Sequence, residues 1–187
     1  FVIQVLFFLV LGQKLVKRYN DQIANSLGAD AQFLVSKIAD TPAQAVDIAI
    51  ALHACDTATD DSIAWAVKNS AKVIMLAPCC HHDLQAQIDL VPEPWSLLTR
   101  HGVVSERLID LMTDSLRAQI LKLLGYRVDI VEFIGGEHTP RNIMIRAVKT
   151  GVKVDPAEVD RYQAMLADWS IAPHLAELLK SELSARI

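Results

Sequence analysis

Two short stretches, Ala45–Leu52 and Lys72–Ala77, are apolar at nearly every position, interrupted only by Asp47 and by the opening Lys72. A strand that is apolar on both faces belongs to a parallel sheet covered by helices, because a sheet with one wet face alternates instead. Helix-period patterns surround these runs. Gln13–Leu27 places Leu15, Val16, Tyr19, Ile23 and Leu27 on one face and stops at Gly28. Thr59 or Asp60 is placed to cap a helix running to about Asn69, with Ile63, Ala64 and Val67 inward. Ser105–Leu124 carries Leu108, Leu111, Met112, Leu116, Ile120 and Leu123 on one face and ends at Gly125. Ala31–Ile38 reads as another strand. Tyr126–Ile134 and Asn142–Val148 read as two more, and their short connection makes that pair antiparallel. The order of elements predicts an α/β fold: a doubly wound, mostly parallel sheet with an antiparallel hairpin at one edge. Residues 1–150 hold this domain, and residues 151–187, two helical patterns split by Pro173, form a helical carboxy-terminal extension.

Composition narrows what such a domain does. With 18 basic against 22 acidic residues there is no global field to attract nucleic acid, so a polyanion would need a local patch. The three cysteines, two of them adjacent, do not make a disulfide framework and predict a reducing, cytoplasmic setting. Phe1–Gly12 has one strongly polar side chain, Gln4, yet it is well short of the ~20 apolar residues a spanning helix needs. It also lacks the basic start of a secretion signal. It therefore reads as a buried strand or helix, with no membrane as partner.

Open α/β sheets bind ligands beyond the carboxyl ends of their strands. The strand ending at Leu52 is followed by His53-Ala54-Cys55-Asp56-Thr57-Ala58-Thr59-Asp60, and the strand ending at Ala77 by Pro78-Cys79-Cys80-His81-His82-Asp83. These two segments contain all three cysteines and three of the six histidines. Neighbouring parallel strands would set them roughly 5 Å apart. Three chemistries fit. Cysteine and neutral histidine ligate zinc, although adjacent pairs lack the two-residue separation of familiar structural sites. Cys55 or Cys79 is a nucleophile if His53 or His81 converges on it. Buried cysteine is also simply a small hydrophobe. A third post-strand group, Glu137-His138-Thr139-Pro140-Arg141-Asn142, offers a guanidinium for an anion, and Asp40 closes the segment Ser36–Asp40. Asp47 is predicted as a buried structural carboxylate within its strand, and Arg107, Asp110, Asp114 and Arg117 as a solvated or partner-facing stripe.

The three post-strand segments resemble the signatures of a class I S-adenosylmethionine-dependent methyltransferase family. More distantly, the chain is similar to tRNA 2′-O-ribose methyltransferases, which share a His-x-Cys loop followed by Cys-Cys-His-His. The resemblance covers roughly Leu15–Val148 and implies a Rossmann-like fold with S-adenosylmethionine as cofactor. It also implies an RNA acceptor, with tRNA as one such molecule. By position it assigns Ile38, Ala39, Asp40, Leu52 and His53 to the cofactor, and His53, Cys55 and Asp56 to catalysis between donor and acceptor. Cys79, Cys80, His81, His82, Arg141 and Asn142 fall to the acceptor, and no metal ligand is implied. The methyl group passes by in-line displacement, with Asp56 or His53 taking the acceptor's proton. This sequence departs from the family pattern at its start: it contains no Gly-x-Gly, and its first acidic residue is Asp21. The resemblance therefore predicts an amino-terminally incomplete copy, lacking the fold's first strand and glycine-rich turn and binding S-adenosylmethionine weakly or not at all by itself. The competing expectation is a non-catalytic module whose His/Cys loops hold a metal or RNA.

Overall fold

The computed structural model describes residues 3–7, 38–43, 45–52, 54–132 and 142–187, with backbone alone at 3–7 and 39. The predicted helix Gln13–Leu27, the strand Ala31–Ile38 short of its last residue, His53, Ile134 and the segment through Arg141 lie outside the described residues.

Five strands form one sheet: β1 (Ile3–Phe7), β2 (Ile48–Leu52), β3 (Val73–Ala77), β4 (Tyr126–Glu132) and β5 (Ile143–Lys149), in the order β1-β2-β3-β5-β4. β1, β2 and β3 are parallel, with Phe7, Leu52 and Ala77 in line at their carboxyl ends. The opening residues, expected as a strand or a helix, supply β1 at the outer edge beside β2. The predicted hairpin exists, but its antiparallel strand is not at the edge. β5 lies between β3 and β4, antiparallel to both, so four of the five strands point the same way. The long connection from β3 to β4 skips one strand slot, and β5 folds back into it.

The helices are α1 (Thr57–Lys68), α2 (His82–Gln87), α3 (Gly102–Leu123), α4 (Pro156–Trp169), α5 (His174–Leu178) and α6 (Lys180–Ser184). Ala49, Ala51, Ile74, Leu76, Ile145 and Ala147 are buried on one sheet face, and Ile63, Ile120 and Leu123 of the helices belong to the same core. Ile48, Ile50, Val73 and Met75 on the other face are only half-buried. Among the described residues, therefore, one helical layer covers one face. Two predicted details change. Leu111 is 54% exposed, because at about 100° per residue it lies roughly 200° round α3 from buried Ile109. Asp47 precedes β2, and its half-buried carboxylate pairs at 2.6 Å with exposed Lys72, an arrangement worth little in stability.

The tail joins this core. Asp155 caps α4 by accepting from the Ala157 amide at 3.0 Å, with Pro156 opening the helix. α5 packs on α1, and Leu175, Leu179 and Leu183 are buried in the common core. No described helix is long and apolar enough to cross a membrane.

Gly125 ends α3 with φ +87°, and a Cβ there would meet the Arg186 guanidinium. Gly125→Ala is expected to lower the unfolding free energy by about 1–2 kcal/mol, seen as a lower urea midpoint with an unchanged slope.

Candidate functional site

Because Leu52 and Ala77 are in register, the chain leaves β2 and β3 at the same rim of the sheet. After β2, Ala54 is buried and Cys55 exposed. Asp56 takes φ 52°, ψ −123° at the start of α1, a conformation that side chains disfavour by about 1–3 kcal/mol. The turn is held from several directions. Thr59 donates its hydroxyl to the Ala54 carbonyl, and the Ala58 and Thr59 amides donate to the carbonyls of Cys55 and Asp56, each at 3.1 Å. Thr59 and Asp60, predicted as caps, are instead buried inside α1. Asp56 occupies the cap position but turns its carboxylate away: Oδ1 accepts from the Asp83 amide at 3.0 Å, in the first turn of α2. A carboxylate is favoured beside the free amides of a helix start, so Asp56 ties the two loops together.

The thiols meet at the same place. Cys55 Sγ is 3.2 Å from Cys79 Sγ, and Cys80 Sγ is 3.8 Å from Cys79 Sγ. Burial, and then its two thiol neighbours, push the Cys79 thiol up to about 12. A nucleophilic cysteine needs the opposite shift, and the His81 ring, which would have to converge on the thiol, faces Asp114 and Asp110 instead.

Behind the loops, α3 presents a buried polar face. His81 Nε2 lies 3.0 Å from Asp114 Oδ1, and Nδ1 faces Asp110 Oδ1 at 3.3 Å without hydrogen-bond alignment. Arg117, 2% exposed, forks onto Asp60 at 2.8 and 3.2 Å. It also reaches Asp114 at 3.2 Å and donates to the Asp56 carbonyl at 2.9 Å. Burial pushes Asp60 above its usual value while the guanidinium pulls it back. Of the stripe expected to be solvated or partner-facing, Arg107 is exposed, Asp110 is half-buried, and Asp114 and Arg117 are buried as the support of the rim. Beside it a cleft of about 90 Å³ opens between Pro78 and Ile143 at the sheet end and Arg107, Asp110 and Asp114 of α3.

The predicted site residues divide as follows. Cys55, Cys79 and Cys80 converge and Asp56 meets the second loop through the Asp83 amide, whereas the His81 ring faces Asp114 and Asp110 of α3. His82 is exposed at the start of α2, and Leu52 is half-buried at the end of β2. Asn142 is buried immediately before β5. Ile38, Ala39 and Asp40 form a 3-10 turn instead of a strand end. That turn packs on α1, and the next residue, Thr41, accepts from Trp65 Nε1 at 3.1 Å, about 12 Å along α1 from its start. His53 and Arg141 lie outside the described residues. Sequence reasoning missed Asp60, Asp110, Asp114 and Arg117. The available signal was the i, i+4, i+7 spacing of Asp110, Asp114 and Arg117, which puts them together on one flank of the helix.

Comparison with known families identifies the segment that carries this rim. Residues 11–87 match the model of a family described as a methyltransferase domain. The matched span takes in β2, both loops, α1, β3 and α2, and stops before α3. A methyltransferase domain suggests methyl transfer in general, and the mixed α/β sheet is compatible with a Rossmann-like methyltransferase. No curated protein and no solved structure matches the chain.

Proposed function

We propose that the chain transfers a methyl group from S-adenosylmethionine to an RNA acceptor at the rim formed by the Cys55–Asp56 and Cys79–His82 loops. The observation that carries this reading is that both loops belong to the segment matching a methyltransferase domain and meet at one strand-end rim. One of the described cofactor-side residues fits that donor by its place. Leu52 is half-buried at the strand end and the Asp40 carboxylate is exposed, whereas Ile38 is buried and has no surface to offer. Leu52 would line the cofactor, which when bound supplies an electrophilic methyl group, while Asp40 stands on the turn beside Trp65, away from the rim.

The protein's task is then alignment and proton removal. Asp56 is the loop carboxylate suited to accept the proton, and its backbone is fixed by Arg117 and its side chain by the Asp83 amide. Cys79, Cys80 and Asn142 line the acceptor side.

The test is transfer of label from methyl-labelled S-adenosylmethionine, at millimolar cofactor, into RNA by the full chain. Asp56→Asn keeps an oxygen for the Asp83 amide but cannot take a proton. Turnover is expected to fall by about 10²–10⁴-fold with an unchanged circular dichroism spectrum. RNA left unlabelled by the wild type, or full activity in Asp56→Asn, rejects the proposal.

A further inference from the structure

The three thiols are close enough to serve one ion. Their Sγ atoms all lie within 4.8 Å of one another. Tetrahedral zinc with Zn–S bonds of about 2.3 Å sets its sulfurs about 3.8 Å apart. Cys79 and Cys80 already stand at 3.8 Å, and Cys55 and Cys79, at 3.2 Å, need to spread by a few tenths. Cys55 is exposed, so its side of the cluster has room to move. Adjacent residues make poor ligands to one ion where their side chains diverge, as they do along a strand. Residues 78–81 have no regular structure, so the alternation of a strand does not hold there and both sulfurs face the same loop.

We propose that Cys55, Cys79 and Cys80 form a three-thiolate zinc site that fastens the loop after β2 to the loop after β3. Among the described residues three ligands serve the ion, and a fourth completes the tetrahedron on the exposed side of Cys55. His81 does not fill that position, because its ring nitrogens face Asp114 and Asp110. Binding moves each thiol proton to buffer and a sulfur lone pair to the metal, with no oxidant or reductant required. A thiol keeps its proton at neutral pH without metal, so binding is accompanied by proton release. The inference stands on the sulfur positions alone and holds or fails independently of methyl transfer, which the labelling assay reads separately.

The experiment uses the full chain, reduced and stripped with a chelator, then titrated with Zn²⁺ against a chromophoric competitor and with Co²⁺ as a spectroscopic probe. One ion per chain is expected, with thiolate-to-cobalt charge-transfer absorption. Cys55→Ser and Cys80→Ser are each expected to lose stoichiometric binding, whereas His82→Asn keeps it. Should a serine variant fail to fold, the wild type still decides. The chain has only three cysteines, and all three are expected to react with a thiol reagent in the apo protein and to be protected by one equivalent of zinc. Absence of binding, thiols that stay reactive with zinc, stoichiometric binding retained in folded Cys55→Ser or Cys80→Ser, or a Cys55–Cys79 disulfide in the metal-treated protein would each overturn the site.

Discussion

Arg117→Leu is expected to destabilise the fold by about 3–5 kcal/mol, because it leaves buried charges without their partner. Asp60 and Asp114 are 5% and 4% exposed, and both hydrogen-bond the guanidinium. The same side chain holds the Asp56 carbonyl, and with it the strained turn that points the first loop at the second. Against a total of about 5–15 kcal/mol for an ordinary domain, this one residue decides whether the rim exists. The pH dependence has a definite sign. Burial already raises Asp60 above its usual value, and removing Arg117 removes the opposing pull. In the folded variant Asp60 therefore binds its proton more tightly than in the unfolded chain, which titrates near ~3.9. That contribution is fully present below the unfolded value and is lost as pH rises through the raised one. The deficit against wild type is thus largest at neutral pH and shrinks on mild acidification. Urea unfolding at both pH values measures it. Arg117→Lys keeps the charge but not the fork, and falls between the two. A deficit under about 1 kcal/mol at neutral pH would show that the pair does not carry this weight, and a deficit that grows on acidification would show that the uncompensated group is not a carboxylate.

That network also marks the boundary of what the sequence made legible. β2, β3, α1 and α3 follow from local pattern, since an apolar run or a helical stripe is written in neighbouring residues. The meeting of Cys55 and Cys79 follows one step later, because adjacent parallel strands in register deliver both loops to one rim. The polar side of α3 did not follow. Asp110, Asp114 and Arg117 have the spacing of a solvated stripe, and the groups that bury two of them come from elsewhere: Asp60 of α1, 57 residues away, and His81, 33 residues from Asp114. Periodicity records which face a residue occupies and not whether a partner of opposite charge awaits it. Leu111 errs in the other direction, apolar by type and exposed by angle. The place of β5 was hidden for a related reason. A hairpin's sequence fixes its internal pairing, while the slot it fills depends on how far the preceding crossover carries the chain.

The tail gives the second large effect. Leu175→Ala and Leu179→Ala are each expected to cost about 2–5 kcal/mol, the range for emptying a buried leucine site. Leu175 is 1% and Leu179 0% exposed. With Leu183 they keep a four-residue spacing across the junction of α5 and α6, so a single apolar stripe docks both helices. α5 packs on both α1 and α3, and Pro173, His174 and Leu175 close over a small cavity lined by Asp60, Asp83 and Arg117. The amide of Ala172 adds a bond to Gln87 at the end of α2. The tail is therefore the lid that keeps the Arg117 pair dry. Losing it admits water to an ion pair whose strength depends on exclusion of water, and so couples the two predictions. Leu175→Ala combined with Arg117→Leu is expected to cost less than the sum of the single changes, because sites sharing one cavity do not add. Urea midpoints of the single and double variants measure this coupling, and amide exchange in α1 should quicken in Leu175→Ala alone. Additive costs with unchanged α1 exchange would mean that the tail stabilises the core without sheltering the charges beneath it.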